Sequence, residues 1–66
     1  MARELELRGR MYWILSEPEG DGWKATVLEN KGDGSQDSIG IDASGETRSQ
    51  ADDAAERKLR RLLQAY

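Results

Sequence analysis

The side chains able to do chemistry in this 66-residue chain are carboxylates, cations, hydroxyls and two tryptophans; cysteine and histidine are both absent. Without cysteine there is no thiolate metal site and no disulfide. Without histidine the usual neutral-pH acid–base group is missing, so no serine has its common activator. Asp52 and Asp53 stand at adjacent positions of a helical segment and point in different directions. Acid–base work needs two groups converging on one bond. The acidic turn residues Glu17, Glu19, Asp21, Asp33 and Asp37 raise the question of calcium. The run Asp33-Gly34-Ser35-Gln36-Asp37 lacks the alternating ligands and terminal glutamate of an EF-hand loop, and reads as a solubilising turn. The expectation is a protein that is not an enzyme and holds neither cofactor nor metal.

The cations offer a different chemistry. Arg57, Lys58, Arg60 and Arg61 cluster near the C-terminus, and Arg3, Arg8 and Arg10 near the N-terminus; together they could contact phosphate. Against this stand 13 acidic residues to 10 basic ones, a net charge of -3 and only 6% aromatics. An acidic chain is repelled by nucleic acid at long range, and RNA recognition draws on aromatic stacking. The first reading of the cluster is a solvated helix face. Nucleic-acid contact through Arg57, Lys58, Arg60 and Arg61 is the alternative. No apolar run approaches the ~20 residues of a membrane span, and the first residues lack the apolar core of a signal peptide. A cytoplasmic protein that meets no membrane is expected.

The elements that must position these groups are legible from periodicity. Leu5, Leu7, Met11, Trp13 and Leu15 share one parity, with Gly9 in the missing slot, which predicts an extended stretch bent or bulged at Gly9. Tyr12 and Ile14 take the other parity, so residues 11–15 read as covered on both sides. The turn formers of residues 17–22 separate this stretch from a second strand, in which Trp23, Ala25 and Val27 share a face. Trp13 and Trp23 are then expected as neighbouring core anchors. After a glycine-rich turn, Ile39, Ile41 and Ala43 alternate in a third strand over residues 37–43. From residue 51 to 66 the period changes to that of a helix, with Ala51, Ala55, Leu59, Leu62 and Tyr66 on one stripe flanked by Ala54 and Leu63. Thr47 and Gln50 fit a capping box, with Ser49 a rival cap. Asp53 with Arg57 and Glu56 with Arg60 sit four apart, as ion pairs on a helix do. Acids early and bases late in the helix complement its dipole.

Residues 1–66 thus read as a single small α+β domain. It has a three-stranded antiparallel sheet with one C-terminal helix packed on one face, in β-β-β-α order, and the N-terminal segment around Leu5 and Leu7 is available as a fourth strand. A chain of this length buries only roughly 60% of the surface its unfolded form exposes, so self-association is a natural source of extra stability.

From Tyr12 onward the chain resembles the HicB-like antitoxin family. The resemblance is carried by Tyr12-Trp13-Ile14-Leu15-Ser16-Glu17, by Gly20-Asp21-Gly22-Trp23-Lys24-Ala25-Thr26-Val27, and by Gly45-Glu46-Thr47-Arg48-Ser49-Gln50-Ala51 with Ala55, Leu59 and Leu62. The family's Pro-Asp-x-Pro-Gly loop is replaced by Leu28-Glu29-Asn30-Lys31-Gly32. The resemblance implies a stoichiometric binding protein that forms a homodimer and docks a small RNA-cleaving toxin. An open sheet leaves edges free for strand addition. The self-contact is expected at the strand of Tyr12 and Ile14, or at the arm of Leu5 and Leu7.

Overall fold

The computed structural model describes residues 2–32 and 34–64. Four strands and a helix follow one another: β1 (Ala2–Leu7), β2 (Arg10–Glu19), β3 (Gly22–Asn30), β4 (Gln36–Gly45) and α1 (Arg48–Gln64). The strands form one antiparallel meander in the order β1-β2-β3-β4. The helix lies across β2, β3 and β4. The α+β class and the terminal helix agree with the sequence reading; the N-terminal segment is a full fourth strand.

Gly9 marks a hairpin rather than a bend within one strand. Leu7 pairs with Arg10, and the intervening Arg8 and Gly9 have φ of 53° and 76°. Two consecutive residues with positive φ make the I′ type of turn, whose twist matches that of paired strands. This turn corrects the inferred faces. Cross-strand partners point to the same side, and here Leu5 is partnered by Tyr12 and Arg3 by Ile14. Odd positions of β1 therefore share a face with even positions of β2.

The buried core is Tyr12, Ile14, Ala25, Val27, Ala43, Ala51, Ala55 and Leu59, with Leu5, Leu7, Trp23, Ile39, Ile41, Ala54 and Leu63 packed around it. Met11, Trp13 and Leu15 face away from the helix. Trp13 sits opposite Leu28 and Trp23 opposite Pro18, so the two tryptophans lie on opposite faces of the sheet. Pro18 is tolerated because β1 ends its pairing at Leu15; beyond that residue β2 is itself an edge strand, the place where a missing amide donor is harmless.

β4 carries a bulge: between the pairs Thr26–Asp42 and Leu28–Ser38 it has two more residues than β3. Gly40 within it has φ 79°. Ile39 and Ile41 both reach the core around this irregularity.

The helix start is built as its capping residues predict, with one change. The Gln50 amide donates to Thr47 Oγ1 at 3.1 Å, while Gln50 Oε1 accepts from the Glu46 amide at 3.0 Å, one residue before the cap. Ser49 lies inside the helix. The first turn contains no acid, and Arg61 is the base of the last turn. Asp52, Asp53 and Glu56 thus stand beyond the reach of the N-terminal dipole, which fades within one turn. The stripe along α1 runs through Ala51, Ala55, Leu59 and Leu63, at four-residue steps. Leu62, expected in the core, is exposed. Tyr66 and Asp33 lie outside the described residues.

Candidate functional site

Only one side of the sheet is roofed. On the other, outer side, β2 presents Met11, Trp13, Leu15 and Glu17, and β3 presents Asn30, Leu28, Thr26 and Lys24, each opposite its namesake in that order. The outer row of β1 adds Glu4 beside Trp13 and Glu6 beside Met11. From β4 come Ser38 beside Leu28, Gln36 beside Asn30, Asp42 beside Thr26 and Ser44 beside Lys24. The middle of this face is apolar and its margins are polar. Leu15 keeps 41% of its surface in water, and a shallow hollow opens beside it against Glu17 and Thr26. Burying an exposed leucine and its neighbours is the usual driving force of association. Lys24 stands at one end of the face, on the level of Glu17; its Nζ lies 3.9 Å from Glu19 and 4.0 Å from Asp42. The Trp13 indole Nε1 is enclosed by the protein and has no hydrogen-bond partner.

The second open feature is the edge of β1. One side of this strand pairs with β2; the other ends the sheet. Its tie to the helix is ionic. Arg3 donates to Asp53 Oδ1 at 3.0 Å and to Glu56 Oε1 at 3.1 Å, and Arg60 donates to Glu56 Oε2 at 3.0 Å. The hydrogen bond that Arg3 donates to Asp53 holds its guanidinium even more firmly in the charged form, overcoming the opposing effect of burial. Asp53 therefore turns to β1 and not to Arg57. Behind this network Asp52 is buried, and its Oδ1 has no partner.

Tyr12 and Ile14 are 2% and 0% exposed, and β2 is paired on both sides along their length. They shape the sheet from within, and at their level β2 offers no free edge; only its outer row, Met11, Trp13 and Leu15, is open to a partner. Leu5 and Leu7 lie on the available edge strand, with their side chains packed towards the helix side.

The basic residues divide over the helix. Lys58 donates to the Asp42 carbonyl of β4 at 2.8 Å, while Arg60 joins the ionic network on the β1 side. Arg57 and Arg61 are exposed. Two adjoining hollows do bring distant arginines together: one is lined by Leu7, Arg8, Arg60, Leu63 and Gln64, the other by Arg8, Arg10, Tyr12 and Leu63. The sequence reading joins the N-terminal arginines to the helix cations; the hairpin at Gly9 sets Arg8 and Arg10 beside the last turns of the helix, with Arg60 but not Arg57 or Arg61 lining the hollows.

No family model, curated protein or solved structure matches the chain. Among the described residues no group of three or more potential metal ligands comes together. None of their helices is long and apolar enough to cross a membrane.

Proposed function

We propose that the protein is a non-enzymatic protein-interaction module of the HicB-like, antitoxin type, one that pairs with itself and sequesters a small toxin-like protein. The observation that carries this reading is the one-sided roof. A helix covers one face of the sheet, while the other carries an apolar strip of exposed Leu15 and half-buried Trp13 and Leu28. The β1 edge adds unpaired backbone groups to which a partner can contribute a strand. Binding in this way needs area and hydrogen bonds but no reactive group, which suits a chain without histidine or cysteine. The work would be done in the cytoplasm. The test is a titration of this chain into a small RNA-cleaving protein encoded beside it. Cleavage that stops at a fixed stoichiometry supports the proposal, and cleavage unaffected by excess chain refutes it.

The hollows that join Arg8, Arg10 and Arg60 favour a second reading, a small nucleic-acid-binding domain, which would also use Arg57, Lys58 and Arg61. Phosphate contact predicts retention on immobilised RNA that falls steeply with salt. Retention that survives Arg8→Glu combined with Arg60→Glu would remove this reading.

A further inference from the structure

We infer that the outer face of the sheet seats a second copy of this chain, packed face to face about a two-fold axis that runs along the strands between β2 and β3. The inference deepens the self-pairing part of the proposed function by naming its surface and its pairs.

The argument comes from the register. A two-fold contact is made by the same patch on both copies, so the patch must complement itself. Rotation about an axis along the strands, midway between β2 and β3, lays each outer residue of β2 over the residue that its own cross-strand partner occupies in the other copy. The register supplies these partners: Glu17 with Lys24, Leu15 with Thr26, Trp13 with Leu28 and Met11 with Asn30. The same rotation lays β1 over β4 of the second copy, where Glu4 meets the level of Ser38 and Glu6 that of Gln36. The aromatic anchor meets leucine, exposed Leu15 meets the threonine that lines its neighbouring hollow, Glu17 meets an ammonium, and Glu4 and Glu6 meet a hydroxyl and an amide. Asp42, at the margin, meets the level of Ala2 and no like charge.

Other two-fold arrangements of this face do worse. An axis across the strands, centred between the levels of Trp13 and Leu15, sets Glu17 over Met11 of the second copy. Centred on Trp13 itself, it sets Glu4 over Glu4. Face-to-face sheets cross at about 30° because of their twist, but β2 and β3 lie nearest the axis and are displaced least. The size also fits. The molecule measures 34 × 26 × 16 Å, so a broad face can supply the ~800 Å² per partner of a standard interface. Both β1 edges stay open in such a dimer, which leaves them for the toxin-like partner.

The test is sedimentation equilibrium on the whole chain and on Leu15→Lys, Glu17→Lys and Lys24→Glu, with circular dichroism to check folding. The charge variants are measured separately and as a 1:1 mixture. The expected result is a dimer whose Kd rises about tenfold in each charge variant alone, since a dimer of either contains two like-charged contacts. Mixing the two restores wild-type affinity as a heterodimer, because the lysine at 17 of one chain faces the glutamate at 24 of the other. Mixing repairs nothing within a chain, where both variants lose the Glu17–Lys24 neighbour pair, so this recovery is specific to the interface. Leu15→Lys should abolish dimers at concentrations where wild type is fully paired. A dimer indifferent to all three substitutions overturns the assigned face and moves the self-contact to the β1 edge, leaving the proposed function in place. A strict monomer at ~1 mM overturns both this inference and the self-pairing of the proposed function.

Discussion

Leu59 and Leu62 stand three residues apart on one helix and differ completely in surroundings. Leu59 is wholly buried, whereas Leu62 retains 36% of its exposure. Truncating a buried leucine loses its transfer energy and leaves a cavity, at about 2–5 kcal/mol. Leu59→Ala is therefore expected to lower unfolding stability by that amount in a urea titration, and Leu62→Ala by less than about 1 kcal/mol. Gly45 is a second sensitive position. A Cβ there would lie 2.7 Å from the Ala51 amide nitrogen and 2.8 Å from the Gln50 Cβ, so the end of β4 and the start of α1 touch through the missing side chain. Gly45→Ala must push these apart, and a cost of about 1–3 kcal/mol by the same titration is expected for such overpacking.

At the scale of elements, the β1–β2 hairpin has a common turn type with an uncommon residue in it. Arg8 is the only non-glycine with positive φ among the described residues, a conformation that costs most L-residues roughly 1–2 kcal/mol and asparagine less. Arg8→Asn creates the Asn-Gly pair that this turn favours. It is expected to raise stability by about 0.5–1 kcal/mol, seen as a higher urea midpoint at an unchanged slope. β1 itself is tied to α1 through Arg3. Replacing its guanidinium by an apolar chain of similar length, Arg3→Met, should speed hydrogen exchange in β1 while β3, buried between two strands, keeps its protection. Equal acceleration in both strands would show that β1 opens only with the whole fold.

For the whole molecule, the consequence of a roof on one side is that folding leaves unfinished business on the other. If the outer face pairs, association stabilises the native state by mass action, so the thermal midpoint climbs with protein concentration. That climb should vanish in Leu15→Lys without a fall in the midpoint of the dilute protein. Exposed Leu15 contributes little to the core of one chain, so the two effects are separable by calorimetry across a concentration series.

The amino-acid sequence by itself determined the strand-to-helix order, the inward face of β3, the cap at Thr47 and the helix stripe from Ala51 through Ala55 to Leu59. Each is a local signal: a period of two or 3.6, a turn former, a hydroxyl before a helix. Tertiary structure decided which side of β2 is buried. Apolar residues keep one parity from Leu5 to Leu15 on both sides of Gly9, and the run reads equally as one strand or as two. Closure at Arg8–Gly9 shifts the parity by one, turning Trp13 and Leu15 outward and Tyr12 and Ile14 inward. Pairing register is a property of two strands together, and so is the face on which a partner can settle.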